Sequence, residues 1–376
     1  MVTGAKEVFA MPGQKLPVLE LITTPMGFDG QTLFPLRITA PMSRVRADFL
    51  TYASCDDRIR AQVEAAGGQV FVAPSRLRHP LRYIRYVSGV IRQNGYRVVH
   101  AHGSSCTLAI DLLAAKLGGA PVRIAHSHNS QCRFSLLHRL LKPLFMALYT
   151  RALACGDEAG RWLYGKRPFD VVRNAIDTRA YAFDPAARES ARTELNLGDS
   201  LTLGCVAGLT AIKNHAFLLD VFARLLKRRP DCTLVLVGDG ELRGELTQRA
   251  QALGIADRVR FTGVRTDVPR LLQAMDAMLL PSLFEGFPTV ALEWQSAGLP
   301  VLMSDSVTRG CALTDRVQFL PLEPERWVQA VLDLPAEDRA QSSREGVDAL
   351  TRAGYDLQTA SKWLETEYLR LAERTK

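Results

Sequence analysis

Short runs of apolar, β-branched residues alternate along this chain with stretches whose apolar positions recur at helical spacing, the pattern of parallel sheets built from βαβ units. The pattern occurs twice. In the first half it predicts strands near Val18–Ile22, Asp48–Tyr52, Gln69–Val72, Val98–His100 and Arg123–His126. Helices are expected near Pro80–Asn94, Ser105–Leu117 and Phe134–Ala152, with Gly95 and Gly118 as helix stops. A turn-like segment, Asn174 to Asp199, carries few apolar runs and reads as a linker. Beyond it, strands are expected near Leu203–Val206, Thr233–Val237, Val259–Phe261, Met278–Leu280 and Val301–Met303. The helices between them fall near His215–Arg228, Glu241–Leu253, Val268–Met275 and Thr289–Ala297. In the first of these, Leu218, Val221, Phe222 and Leu225 form one i, i+3, i+4, i+7 stripe. Asp267 reads as an N-cap, and Gly254 and Gly298 as C-terminal stops. A last helix, about Leu357–Arg370, has no strand after it and could return to pack on the first domain. The expected fold is α/β, with domains at 1–173 and 174–350 and a terminal helical segment at 351–376.

Composition adds bounds rather than detail. With 376 residues, 47% hydrophobic and 23% charged, two ordinary globular domains are the default. No run of eighteen or more uncharged apolar residues occurs, and the start lacks the basic-then-apolar layout of a signal peptide, so a cytoplasmic location is expected. The seven cysteines are scattered without a C-x-x-C pair, which argues against a disulfide framework or a zinc site and for reduced thiols. The net charge of +8 is uneven: residues 1–173 hold 23 Lys/Arg against 11 Asp/Glu (+12), and the remainder 24 against 28 (−4). A basic half suits nucleic acid, an acidic substrate or anionic lipid, or reflects an arginine-rich composition alone. No nucleic-acid-binding motif accompanies it, so no nucleic-acid partner is expected.

In open parallel sheets, ligands bind at the carboxyl ends of strands, where loops and helix N-termini present unpaired N–H groups. The most informative segment is Pro281-Ser-Leu-Phe-Glu-Gly-Phe-Pro-Thr-Val-Ala-Leu-Glu293, which runs from a strand end through a glycine turn into a helix. Glu285 falls in the loop and Glu293 just over one turn into the helix. The N–H groups of Phe287, Thr289 and Val290 would offer an anion a positive helix start. Carboxylates so placed accept charge-assisted hydrogen bonds from vicinal sugar hydroxyls, although alone the pair reads equally as a cap and a solvated helix residue.

The run FEGFPTVALEWQSAGLPVLMSD resembles glycosyltransferase family 4, retaining enzymes whose signature is a glutamate pair of this E-x7-E spacing. TLVLVGDGELRGEL, RVRFTGVRTDV and AIKNHAFLLDVFARL are similar to the family's sheet strands, base-binding loop and phosphate-binding lysine segment. SDSVTRGCALTDRVQFLPL resembles a bacterial capsule and exopolysaccharide subgroup, and HAHGSSCTL and IAHSHN carry the weaker likeness of the first half. The resemblance implies two Rossmann-like domains facing across a cleft (GT-B), with 1–173 on the acceptor side and 174–350 binding the nucleotide sugar. It implies that Glu293 binds the ribose, Glu285 faces the donor sugar and Lys213 the diphosphate, with the loop of Gly286, Phe287, Pro288, Thr289 and Val290 beside them. Backbone at Val264 and Arg265 corresponds to base recognition, and His128 to a cleft histidine with His126 two residues before it. His100 and His102 close another strand in the same region and could line the acceptor site. The implied reaction needs no protein nucleophile, no cofactor and no metal, and no D-x-D element is positioned to hold one.

Two departures accompany the resemblance. The family's glycine-rich turn is here Met26-Gly-Phe-Asp-Gly-Gln31, with Gly27 and Gly30 remaining and Asp29 unfavourable toward a diphosphate. The family's phosphate arginine position is occupied by Gly208, and Arg309, after the strand Val301–Met303, is the expected substitute. The implied activity is transfer of a sugar, a UDP-sugar favoured as donor, to a lipid-linked saccharide. An anionic membrane surface is expected to meet Arg76, Arg78, Arg82, Arg85 and Arg92, with Tyr83 and Tyr86 as anchors. The alternatives are a weakened or non-catalytic nucleotide-sugar-binding subunit and an NDP-sugar epimerase or hydrolase on the same fold. An oxidoreductase is least favoured, because no G-x-G-x-x-G follows a strand with an acidic residue about twenty positions on.

Overall fold

The computed structural model describes residues 15–27, 30–52, 54–130, 132, 135–336 and 338–375. It divides into two compact units, Met1–Ala175 with Leu357–Lys376, and Ile176–Asp356.

In the first unit the order is β1 (Leu16–Ile22), α1 (Gly30–Thr39), β2 (Val45–Tyr52), α2 (Asp57–Ala65), β3 (Val70–Ala73), α3 (Pro80–Asn94), β4 (Val98–Gly103) and α4 (Ala109–Leu117). There follow β5 (Val122–Ser127), α5 (Ser135–Leu148), β6 (Arg151–Ala154), α6 (Asp157–Tyr164) and β7 (Asp170–Val171). The seven strands are parallel in the order β3-β2-β1-β4-β5-β6-β7, so the order reverses between β1 and β4, where such sheets open their binding crevices. In the second unit the order is α7 (Pro185–Glu194), β8 (Leu201–Val206), α8 (His215–Arg228), β9 (Cys232–Val237), α9 (Arg243–Ala252), β10 (Val259–Gly263), α10 (Val268–Gln273) and β11 (Ala277–Leu280). Then come α11 (Thr289–Ser296), β12 (Val301–Ser304), β13 (Val317–Leu320), α12 (Pro324–Leu332) and α13 (Arg339–Arg352). Its six parallel strands are ordered β10-β9-β8-β11-β12-β13, reversing between β8 and β11. Both units are therefore Rossmann-like.

Central strands such as β9, Cys-Thr-Leu-Val-Leu-Val, are buried along their whole length, as expected of parallel strands covered by helices on both faces. In α8 the stripe of Leu218, Val221, Phe222 and Leu225 lies in the second unit's core. The chain returns to the first unit through α14 (Leu357–Arg374), whose Leu364, Tyr368 and Ala372 pack with Phe34 and Ile38 of α1 and Val18 of β1.

Four local details bear on these expectations. The helix expected over Phe134–Ala152 ends at Leu148, and Arg151–Ala154 is strand β6, because Thr150 N–H and Ala152 lie in the β5–β6 pairing. Gly118 stops α4 as expected, at its C-cap with φ −71°, and the left-handed residue is the next one, Gly119, at +92°. Asp267 holds the N-cap position of α10 as expected, but its carboxylate makes no cap bond and is engaged by Arg265 and Arg270. Gly30 opens α1, while Asp29 lies outside the described residues.

Candidate functional site

The second unit gathers its loops at the carboxyl edge of the sheet. After β8 and β9 the chain is laced together by Ala207 N–H to Val237 O (3.0 Å), Leu209 N–H to Asp239 O (3.0 Å) and Leu242 N–H to Leu209 O (3.1 Å). This approach requires glycine at 238, where φ is +138° and a Cβ would stand 2.1 Å from the Ala207 carbonyl oxygen. A short 3-10 turn, Ala211–Lys213, follows, and Leu283 N–H donates to Ile212 O at 2.8 Å. That bond pins the loop after β11 to the turn carrying Lys213. The Lys213 ammonium and the Glu285 carboxylate, 72 positions apart, form an ion pair, and Ser282 Oγ donates to the same carboxylate oxygen at 3.0 Å. Glu285 also bridges in parallel to Val307, which brings the loop after β12 alongside.

Arg309 lies two residues beyond Val307, exposed, with its guanidinium carbon 4.8 Å from the centre of the Phe319 ring. Gly208 is exposed, and a Cβ there would meet nothing closer than 3.8 Å, so the space for a larger side chain is open. Glu293 is buried in α11. Gly286 and Pro288 flank Phe287, which stacks on Tyr355 at 5.4 Å and so steadies the approach to the helix. Pro288, at the N-cap position, makes no side-chain cap bond to α11, which starts at Thr289 and Val290. In the loop after β10, Val264 is exposed, while Arg265 joins Asp267, Glu194 and Arg270 in a surface ion-pair network. Those arginines hold the Asp267 carboxyl well below the usual carboxylate range.

The first unit gathers a different kind of group. His100 and His102 lie on β4, His126 on β5, and His128 two residues later, half-buried. His102 Nδ1 is 2.9 Å from His128 Nε2, and His102 Nε2 is 2.6 Å from Glu20 Oε2 on β1. The other oxygen of Glu20 accepts from the Tyr368 hydroxyl of α14 at 2.9 Å. Tyr368 also meets His100 Nδ1 at 2.5 Å, and His100 Nε2 is 3.2 Å from His126 Nδ1. His126 Nε2 ends this arm, buried and without a hydrogen-bond partner among the described residues. Burial depresses all four histidines, His102 to about 3 and the others well below their ordinary value, and the histidines' mutual repulsion lowers His100, His126 and His128 further. Burial pushes Glu20 up to about 8, partly opposed by the Tyr368 bond. His100, His102 and His126 can bring one nitrogen each within 4.8 Å of the others, a spacing compatible with metal ligation. Both nitrogens of His100 and of His102 are already hydrogen-bonded, however, so the cluster reads as a hydrogen-bonded network.

Two residues expected at a membrane surface are interior. Arg76 is buried in an ion pair with Asp111 and donates to Thr107 Oγ1 at 2.7 Å, and Tyr83 is buried with its hydroxyl 2.6 Å from Asp111. Arg78, Arg82, Arg85, Tyr86 and Arg92 are exposed. Glu20 and Tyr368 escaped the sequence reading. The signal for Glu20 is an acid inside the apolar run Leu-Pro-Val-Leu-Glu-Leu-Ile, and for Tyr368 its place on the Leu364–Ala372 stripe.

Residues 200–336 match the family model described as Glycosyl transferases group 1. The chain is 35% identical over 336 residues to the putative glycosyltransferase EpsF of Bacillus subtilis (strain 168), covering 84% of this chain and 86% of that one. It is 29% identical over 252 residues to the UDP-Gal:alpha-D-GlcNAc-diphosphoundecaprenol alpha-1,3-galactosyltransferase of Escherichia coli, covering 62% and 64%. In fold it matches the crystal structure of Anabaena HepE in complex with UDP, with a TM-score of 0.76 at 21% identity over 94% of this chain and 99% of that one.

Proposed function

This chain belongs to the group 1 glycosyltransferases, with the GT-B type of fold, and from that premise we propose a retaining, metal-independent transfer from a nucleotide sugar to a lipid-linked saccharide in surface-polysaccharide biosynthesis. The carrying observation is the Lys213–Glu285 pair, a cation and a carboxylate brought to one strand edge by loops that hydrogen bonds hold in register. The diphosphate takes Lys213 as its counter-charge, and Glu285, held by Ser282, accepts from the sugar's hydroxyls. Glu293 binds the ribose, the Gly286–Val290 segment the phosphates and the Val264–Arg265 backbone the base. In the transfer, the acceptor oxygen bonds the anomeric carbon on the face the nucleotide leaves. The carbon–oxygen bond to the diphosphate breaks, and the acceptor's proton passes to the departing diphosphate. Lys213 and the uncapped start of α11 offset the charge that develops there.

The Escherichia coli relative, named for UDP-Gal and a diphosphoundecaprenol acceptor, supports a UDP-sugar donor and a lipid-linked acceptor. No helix among the described residues is long and apolar enough to cross a membrane. A peripheral position on the cytoplasmic face fits the exposed Arg78, Arg82, Arg85 and Arg92 and the uncovered Leu81 of α3. On α5, Leu136 and Leu140 are likewise exposed beside Arg139. Such basic residues are worth about 1 kcal/mol each against anionic lipid.

The test is acceptor-dependent release of UDP from UDP-sugars offered with polyprenyl-diphosphate-linked saccharides, with the product's anomeric coupling read by NMR. Expected are retained configuration and full activity in EDTA. Release without acceptor would identify a hydrolase or epimerase, and activity lost to EDTA and restored by Mg²⁺ would reject metal independence.

A further inference from the structure

We propose that Glu20 is a positioning residue that acts through His102 to set which nitrogen of His128 carries the hydrogen, and so whether the outer nitrogen of that ring donates to or accepts from a sugar. The inference rests on the assignment of His128 to the sugar site.

The geometry leaves few choices. Glu20 Oε2, His102 Nε2, His102 Nδ1 and His128 Nε2 form one chain with contacts of 2.6 and 2.9 Å. Each ring is neutral, so it carries one hydrogen, donating at one nitrogen and accepting at the other. The state of Glu20 therefore fixes every bond in the chain. When Glu20 is ionised it accepts from His102 Nε2–H, His102 Nδ1 accepts from His128 Nε2–H, and the outer Nδ1 of His128 is bare. When Glu20 is protonated it donates to His102 Nε2, His102 Nδ1–H donates to His128 Nε2, and the outer nitrogen becomes an N–H donor. The two states differ by one proton. It enters at His128 Nδ1, the Nε2 hydrogen of His128 passes to His102 Nδ1, and that of His102 Nε2 passes to Glu20, with neither ring ionised at the end.

The second arm supports the same carboxyl, and its His100 Nδ1 also lies 3.3 Å from Glu20 Oε2, farther than the 2.6 Å of His102 Nε2. Tyr368 donates to Glu20 Oε1, His100 Nδ1–H donates to the Tyr368 oxygen, and His126 Nδ1–H donates to His100 Nε2. This polarity leaves His126 Nε2 bare, which accounts for a buried nitrogen without a partner, since no N–H is stranded. It also holds in both states of Glu20. The titratable groups facing Glu20 are His100 and His102 from β4 and Tyr368 from α14, with His126 and His128 of the β5 side behind them. β2 offers Phe49 at the register position. With Glu20 pushed up to about 8 by burial, the reversal falls near pH 8, and the donor form prevails at neutral pH.

Glu20→Gln tests this, because an amide with its oxygen toward Tyr368 and its NH2 toward His102 mimics the protonated acid and cannot ionise. In full-length protein labelled with 15N-histidine, His128 Nδ1 of the wild type should change from protonated to bare with a midpoint near pH 8. Glu20→Gln should keep it protonated throughout. The wild type's kcat should fall to about a tenth one pH unit above the midpoint, while the variant keeps its neutral-pH kcat there and the donor KM moves little. Tyr368→Phe should raise the midpoint, because the lost bond favoured the ionised form, an effect that a merely structural role would not produce. A His128 tautomer that ignores both pH and Glu20→Gln overturns the proposal, even if transfer is observed. A tautomer that follows Glu20 in a chain that transfers no sugar supports the relay and defeats the functional assignment instead.

Discussion

The two units present polar groups in opposite ways. In the first, Glu20, His100, His102 and His126 are wholly buried and form a network in which burial suppresses charge. In the second, the Lys213 and Glu285 side chains keep 26% and 13% exposure and form an ion pair. A buried group without a strong partner abandons its charge, whereas one at a wet edge keeps it. The first unit is thus equipped to orient through neutral hydrogen bonds, and the second to meet an anion.

The largest expected effect breaks the comparison at its dry side. The four network histidines have depressed pKa values in the folded chain and ordinary ones, near 6.5, in the unfolded chain. Their contribution is fully present above about pH 6.5 and is lost as pH falls toward the folded values. With a folded value of about 3, His102 alone should withdraw roughly 3 kcal/mol by pH 4.5. Glu20 adds one opposing slope: its contribution is present below about pH 4.5 and is lost as pH rises toward 8. Urea unfolding between pH 8 and 4.5 checks this. A flat profile would mean that the histidines are not buried and neutral.

Next is the wet side. Lys213→Ala should lower kcat by about 2–4 kcal/mol of transition-state stabilisation, near the loss of an oxyanion donor, with circular dichroism unchanged. His128→Ala removes one hydrogen bond from an uncharged ring and should cost less, roughly tenfold in kcat. If steady-state kinetics give His128→Ala the larger loss, the division between an orienting unit and a charge-bearing one fails.

The smallest effect concerns the vacancy at Gly208. Arg309 already rests over Phe319, and if it exchanges that contact for a diphosphate, Arg309→Ala should weaken donor binding by only roughly 1 kcal/mol, the difference between a charged hydrogen bond and an exposed cation–π contact. Gly208→Arg, sterically open, should gain little. Calorimetric titration in which Gly208→Arg sharply tightens binding and Arg309→Ala changes nothing would remove Arg309 from the site and favour a weakened donor site.

What was legible in the chain follows from the range of the interactions. α8 was expected over His215–Arg228 and occupies those residues, because one helix face buries a stripe that local periodicity reveals. The Pro281–Glu293 segment was legible because one turn and one helix carry both glutamates. Strand β13, with only Leu320 buried, gives little alternation to read, and β6 was absorbed into a helix because its own residues, Arg-Ala-Leu-Ala, are strong helix formers. Asp267 had the residue type of a cap but two arginines within reach. The Glu20 network joins residues 82 and 348 positions apart, beyond any local pattern, and only the packing of α14 on the first sheet assembles it.

The most direct test of the account is thermal unfolding of the wild type, Lys213→Ala and Glu293→Ala with rising UDP. A ligand that binds only the folded chain raises the midpoint with its concentration, by about 2.7 kcal/mol of stabilisation at a hundred times its Kd. The account predicts a rise for the wild type, a smaller one for each variant at the same UDP concentration, and no dependence on EDTA. Equal rises in all three proteins would contradict it, because the nucleotide would then be bound without the lysine and glutamate on which the proposed donor site depends.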